Sequence, residues 1–103
     1  MAHLAKRVLV ERQWGRETTP DQYLSDLRSV LDDPDLGKAV YQNKDGRILL
    51  GLLGQNRVPR ERLGDSSEPF IWVLYSADYG TIVSGYQVSG MNRVTLPKDV
   101  HWL

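Results

Sequence analysis

The chain has 103 residues, a formal net charge of zero and 41% apolar residues, so residues 1–103 suit a single domain with a modest core. With no cysteine and only two histidines, the sequence excludes disulfides and cysteine nucleophiles and disfavours a histidine-built metal centre, so no cofactor is expected. No apolar run is long enough to cross a bilayer, and balanced charge is atypical of a nucleic-acid binder unless basic residues gather on one face.

The first predicted element is a helix over residues 2–14. Apolar side chains recur there at helical spacing, with charged residues between them. Arg7 and Glu11 stand four residues apart, which places a pair of opposite charges on one helical face. Gly15 is expected to end this helix.

A second helix is predicted to begin at Pro20. Thr19 and Gln22 form a capping box around this proline, which suits the first helical position. An apolar stripe follows at helical spacing, formed by Tyr23, Leu24, Leu27, Val30 and Leu31. The residue before Pro34 is pushed out of the α region, so the helix should end there.

A β-hairpin is predicted next. Residues 38–42 and 47–53 flank an Asp45-Gly46 pair, which is a strong hairpin turn signal. Gly51 interrupts a run of leucines in the second strand, which indicates a bulge or a close neighbour. Residues 55–69 are polar and are predicted to form a long exposed loop.

A second hairpin follows, with strands over residues 70–75 and 81–88. The first strand is apolar throughout and should lie inside the sheet with both faces covered. The second alternates and should place four side chains on one face, namely Ile82, Ser84, Tyr86 and Val88. Residues 93–96 could add a short edge strand. The predicted fold class is therefore α+β, with two N-terminal helices packed on one face of a four- or five-stranded antiparallel sheet.

The polar face of this last long strand is the first candidate for a site. Ser84 and Tyr86 stand two residues apart beside Gly85, which admits close approach. An ordinary half-solvated strand is the commoner explanation of such spacing. The basic residues form two groups in the sequence, Lys6, Arg7, Arg12 and Arg16 and then Arg57, Arg60 and Arg62.

RNA cleavage by the substrate's own 2′-hydroxyl fits a chain with few histidines and no cysteine. Such an enzyme positions the strand, moves protons and stabilises charge on the phosphate. Arginine or lysine can hold the phosphate, serine and tyrosine can donate hydrogen bonds to it, and an aromatic ring can stack on an unpaired base. His3 is a candidate for proton transfer, although a lone terminal histidine is more often a bystander.

The segments FIWVLY, TIVSGYQV and MNRVTL resemble the C-terminal part of the colicin D tRNase domain, in which an apolar strand precedes a Leu-Ser-Gly-Trp-Lys segment and a final short strand. The upstream order is similar as well, with a basic N-terminal segment, one amphipathic helix and a hairpin comparable to AVYQNKDGRILL. The chain also resembles the wider barnase/EndoU/colicin/RelE-like ribonucleases, which include many toxin domains of contact-dependent growth inhibition systems.

The resemblance implies roles for five residues. Ser84 matches the family's active-site serine, and Tyr86 takes the place of its tryptophan. The family's catalytic histidine lies in a Lys-Tyr-Lys-His context, for which this chain offers His3, with Lys6 and Arg7 a turn later but not in that exact order. Ser84 and Tyr86 would contact phosphate or base, and Lys6 and Arg7 would stabilise charge on the phosphate. Either His3 is the general acid or base, or the histidine role has been lost in this chain.

The function implied by this resemblance is a toxin ribonuclease that cleaves tRNA near the anticodon and leaves a 2′,3′-cyclic phosphate. Such a toxin is secreted or delivered and acts in the cytoplasm of the target cell. Its partners would be tRNA and an immunity or antitoxin protein with an acidic surface, and no membrane. This function requires the basic start of the chain to lie across the Ser84 face of its strand.

Two other functions compete with this one. Neutral net charge and few catalytic residue types favour a non-enzymatic module, such as an immunity protein or small adaptor, with its basic residues scattered over the surface. The other alternative is a ribosome-dependent mRNA interferase of the RelE type, which would cleave RNA only on translating ribosomes.

Overall fold

One helix and an antiparallel sheet form the part of the chain that this computed structural model describes, residues 5–32, 37–42, 45–90 and 101–102. The sheet order is β4-β3-β2-β1-β5, in which four long strands are extended by a two-residue strand at the β1 edge. The α+β class is thereby confirmed. The elements are α1 (Pro20–Asp32), β1 (Gly37–Gln42), β2 (Ile48–Gln55), β3 (Phe70–Ser76), β4 (Thr81–Val88) and β5 (His101–Trp102).

Helix α1 begins with the predicted capping box. The Thr19 amide donates to the Gln22 side chain at 2.9 Å, and the Gln22 amide donates to the Thr19 hydroxyl at 3.2 Å. Two amide groups of the first turn therefore have partners. The predicted apolar stripe packs on one face of β2 and β3, and the buried cluster there contains Tyr23, Leu27, Val30, Leu52, Ile71 and Val73.

The predicted helix over residues 2–14 is not confirmed as a second helix on the sheet. The structure has a single π-helical turn, Lys6–Val10, in which the Glu11 amide donates to the Lys6 carbonyl at 3.0 Å. Its apolar side chains do not form a buried stripe, because Leu9 and Val10 are 66% and 73% exposed while Arg7 is buried. The chain then continues past β4. The helix predicted from the spacing of apolar residues is therefore longer than the turn in the structure.

The first hairpin is confirmed, with β1 and β2 antiparallel and Gly46 at a φ of 84° in its turn. The expected close neighbour of Gly51 is the Trp72 ring, which occupies the position that a Cβ atom would take. The ring is buried among side chains on the face of the sheet away from α1, together with Ala39, Leu53 and Val88. Gly51 is therefore required by packing.

Gly51→Ala is expected to lower the free energy of unfolding by about 1–3 kcal/mol, because the added methyl group must displace a buried indole. Gly15→Ala is the matched control, since the nearest atom to its Cβ would be the Arg62 carbonyl oxygen at 3.7 Å, an ordinary contact. Urea unfolding of both variants measures the difference. A Gly51→Ala protein as stable as the Gly15→Ala protein would contradict this packing.

The second hairpin is also confirmed, and β3 lies between β2 and β4 with both faces covered. The predicted alternation along β4 is wrong at one position. Tyr75 pairs with Ile82 while Leu74 pairs with Ser84, so Val83 is an extra residue in a β-bulge. The bulge reverses the alternation, and Ile82 packs with the α1 cluster rather than on the face of Tyr86.

The loop between β2 and β3 is partly buried, unlike the exposed loop that was predicted. Val58 is buried in the α1 cluster and Leu63 packs against it. A short 3-10 turn, Arg60–Arg62, lies between them. The predicted strand over residues 93–96 lies outside the described residues. Among the described helices, none is long and apolar enough to span a membrane.

Asp26 on α1 binds both this loop and the N-terminal segment, residues 5–15. Its carboxylate is buried and accepts a hydrogen bond from the Trp14 indole at 3.0 Å. It also accepts two from the Arg62 guanidinium, at 2.5 and 3.1 Å. Trp14 in turn pairs with Leu63 as an isolated β-bridge. The path of residues 12–15 is therefore held from two sides.

Candidate functional site at the edge of the sheet

The outer edge of β4 is covered by the N-terminal segment. The Gln13 side chain accepts from the Gln87 amide at 2.7 Å and donates to the Gln87 carbonyl at 2.8 Å. The Gln87 side chain donates to the Gln13 carbonyl at 2.7 Å and accepts from the Glu68 amide at 2.8 Å. The Gln13 side-chain amide thus takes the place of a neighbouring strand. It pairs with the backbone N–H and C=O of Gln87, which would otherwise be unpaired at the edge of the sheet.

Arg7 connects the N-terminal segment to the middle of β4. Its guanidinium donates to the Gly85 carbonyl at 2.7 Å, to the Glu11 carboxylate at 2.8 Å and to the Ser84 hydroxyl at 3.0 Å. The same group lies 5.1 Å from the centre of the Tyr86 ring, within cation–π range. Because the Arg7 side chain is only 5% exposed, it holds these groups in place from within the protein.

Gly85 lets the helix approach this part of the strand. The Leu27 side chain occupies the position that a Cβ atom at Gly85 would take. The Gly85 carbonyl also accepts a hydrogen bond from the Tyr23 hydroxyl at 2.6 Å, in addition to the one from Arg7. The backbone that carries Ser84 and Tyr86 is therefore fixed by both α1 and the N-terminal segment.

Three of the five predicted site residues come together here. Arg7, Ser84 and Tyr86 are in mutual proximity, as the proposal from sequence required of the basic start of the chain. Lys6 is exposed, and its side chain has no hydrogen bond or ion pair within the described ranges. The prediction for His3 falls outside the described residues.

Glu11 is the residue that sequence analysis missed as part of the site. Its carboxylate is 30% exposed and pairs with Arg7. The spacing of these two residues was the available signal, but it was interpreted only as support for a helix. This pairing places a partly exposed carboxylate on the same guanidinium that contacts Ser84 and the Tyr86 ring. A carboxylate in that position can accept a proton.

Both tyrosines of the site are expected to be protonated at neutral pH. Burial raises the pKa of Tyr86 above its ordinary value, the positive charge of Arg7 partly offsets this, and Glu11 adds to it. Burial also raises the pKa of Tyr23, against the opposing effects of Arg7 and of the Gly85 hydrogen bond. Tyr86 can therefore donate a hydrogen bond or a proton.

These shifts predict a loss of stability at alkaline pH. A phenol whose pKa is raised by folding stabilises the protein fully below its unfolded pKa of about 10, and this stabilisation declines as the pH rises through the folded pKa. In an absorbance titration of the folded protein, Tyr86→Phe should remove tyrosinate signal at a pH above the ordinary tyrosine pKa of about 10. Loss of signal at or below pH ~10 in the Tyr86→Phe variant would contradict the shift.

A shallow cavity of about 250 Å³ opens beside this cluster and is lined in part by Glu11, Gln13, Glu68 and Tyr86. Of the carboxylates that line it, Glu11 is the one that pairs with Arg7, and it can accept a proton there. The cationic Arg7 beneath it offsets the charge of Glu11. Within the described ranges there is no cluster of three or more side chains able to hold a metal ion.

No family model, curated protein or solved structure matches this chain. The likeness to the colicin D tRNase domain therefore depends on the sequence segments quoted above. What the site can do must be inferred from its own residues.

Proposed function

We propose that the protein is a metal-independent toxin ribonuclease that cleaves tRNA, near the anticodon, by attack of a 2′-hydroxyl group. The observation that carries this proposal is the contact of Arg7 with Glu11 and with Ser84, 77 residues away in sequence, beside the Tyr86 ring. A proton acceptor, two hydroxyl donors and a cation are thereby held together. These are the groups that transesterification of RNA requires.

The roles follow from exposure and from hydrogen bonding. Glu11 is partly exposed and is the general base, while Arg7 is a positioning residue because its side chain is almost entirely buried. Ser84 donates its hydroxyl hydrogen to a non-bridging phosphate oxygen. Tyr86 is the proton donor, because its phenol is protonated at neutral pH and its side chain lines the same cavity as Glu11.

The reaction proceeds in one displacement. The Glu11 carboxylate removes the proton from the 2′-hydroxyl, whose oxygen forms a bond to phosphorus. The bond between phosphorus and the 5′-oxygen of the next nucleotide breaks, and Tyr86 gives that oxygen a proton. The products are a 2′,3′-cyclic phosphate and a 5′-hydroxyl, and a proton passes from Glu11 to Tyr86 through water to restore the enzyme.

The choice of tRNA and the toxin role are carried over from the resemblance to the colicin D domain. Under this proposal the protein is secreted or delivered and acts in the cytoplasm of a target cell. The producing cell needs a cognate immunity protein. A partner that covers the exposed arginines next to this site, Arg12 and Arg16, would present an acidic surface.

Incubation of the purified protein with total tRNA tests the proposal. Discrete fragments are expected, in the presence of a chelator as well as in its absence. The Ser84→Ala variant should cleave about 100- to 1,000-fold more slowly, because one donor to the phosphate is lost. Intact tRNA after incubation with the wild-type protein would overturn the proposal for free tRNA.

A non-enzymatic interaction module is the second candidate. It is favoured by Leu9 and Val10, which are large apolar side chains left exposed on one turn. It also agrees with an Arg7 whose hydrogen bonds are made within the protein. A binding partner recovered with the wild-type protein and lost on Leu9→Ser substitution, without RNA cleavage, would support this candidate over the ribonuclease.

A further inference from the structure

A second cavity, of about 370 Å³, lies on the other side of the N-terminal segment. Glu11 and Gln13 line the first cavity, whereas the intervening Arg12 lines the second. The N-terminal segment therefore lies between the two cavities. The lining of the second is mainly polar and includes Arg12, Arg16 and Asp65, with a smaller apolar part from Val8, Leu9 and Leu63.

The backbone at Arg12 is held in an uncommon conformation. Its φ is +55°, in the left-handed region that few residues other than glycine adopt. The Arg12 carbonyl accepts from the Ser66 amide at 2.9 Å, and the Gln13 carbonyl accepts from the Gly64 amide at 3.0 Å. Such strain persists only where surrounding contacts enforce it, and it is concentrated at functional sites.

The two arginines of this cavity differ from the other arginines near it. Arg7 is paired with Glu11, and Arg62 is paired with Asp26. Arg12 and Arg16 are exposed, and within the described ranges neither side chain has a hydrogen bond or an ion pair. Two unpaired guanidinium groups against one carboxylate leave an excess of positive charge at the mouth of the cavity.

We propose that this cavity binds the nucleotide adjacent to the scissile phosphodiester, with Arg12 and Arg16 on its phosphate group. This inference rests on the proposed ribonuclease function. The volume is within the range of small-molecule sites, about 300–1,000 Å³. The guanidinium groups are well matched to phosphate oxygens. The mainly polar lining suits the sugar hydroxyls, and the smaller apolar part can contact the base. An RNA strand crossing the N-terminal segment would occupy both cavities.

Binding of a short DNA oligonucleotide, which lacks the 2′-hydroxyl and is not cleaved, tests the site by fluorescence anisotropy at several salt concentrations. Arg12→Asn removes the charge with a residue that tolerates positive φ, so the variant should fold. Arg12→Asn and Arg16→Gln are each expected to weaken binding about 5- to 10-fold and to reduce the salt slope by about 0.7. Arg28→Gln, an exposed arginine of α1, is the matched control and should bind as wild type.

The outcomes separate the site from the proposed function. Binding that depends on Arg12 and Arg16 in a protein that cleaves no RNA would retain the site and reject the ribonuclease. Cleavage that depends on Glu11, with oligonucleotide affinity and salt slope unchanged in both arginine variants, would overturn the site and retain the ribonuclease.

Discussion

Asp26→Ala is expected to lower the free energy of unfolding by about 3–5 kcal/mol, because it leaves a charged partner without its counterion. The buried carboxylate accepts from Trp14 and Arg62, so its removal leaves the indole N–H and the guanidinium unsatisfied. Both groups lie where the N-terminal segment meets the loop. The substitution should therefore loosen this junction as well as destabilise α1.

Urea unfolding at neutral pH measures this loss. Asp32→Ala is the matched control, since Asp32 is an exposed carboxylate at the end of the same helix. Its substitution should change stability by no more than about 0.5 kcal/mol. An Asp26→Ala protein that unfolds within about 1 kcal/mol of the wild type would show that the Asp26 cluster does not hold the segment.

Glu11→Gln is expected to slow RNA cleavage by about 100- to 10,000-fold, the usual contribution of a general base. Glutamine can still accept the hydrogen bond from Arg7, so the geometry of the site should persist while the proton acceptor is lost. Single-turnover cleavage of tRNA measures the rate of the chemical step. Affinity for the uncleaved DNA oligonucleotide should be little changed.

Glu68→Gln is the control for this prediction. Glu68 lines the same cavity as Glu11, but its side chain is not paired with Arg7. The hydrogen bond from Glu68 to the Gln87 side chain is made by its backbone amide. It should retain most of the wild-type rate. Equal rates for the Glu11→Gln variant and the wild type would remove Glu11 from the mechanism.

Local patterns were sufficient to predict most of the sheet and the long helix. The Thr19–Gln22 capping box, the Asp45-Gly46 turn and the apolar run of β3 each depend on a few neighbouring residues, and the structure contains all three. The close neighbour of Gly51 was also anticipated from a glycine within a run of leucines. Such signals depend on neighbouring residues, so predictions from them do not require knowledge of the tertiary contacts.

The N-terminal segment could not be predicted in the same way. Its conformation depends on the exposed edge of β4 and on Asp26, which are distant in sequence. The bulge at Val83 likewise depends on the pairing of two strands. Ser84, Tyr86 and Arg7 were identified as candidates from residue type and resemblance. Glu11 becomes a candidate only through its contact with the Arg7 guanidinium, which also binds Ser84.

The most direct test of the ribonuclease proposal is the chemistry of the ends produced when the wild-type protein acts on tRNA. Attack by the 2′-hydroxyl predicts a 2′,3′-cyclic phosphate on the upstream fragment and a 5′-hydroxyl on the downstream one, with the same ends formed in chelator. Fragments that carry a 3′-hydroxyl and a 5′-phosphate, or tRNA that remains uncut, would contradict the mechanism assigned to Glu11, Ser84 and Tyr86.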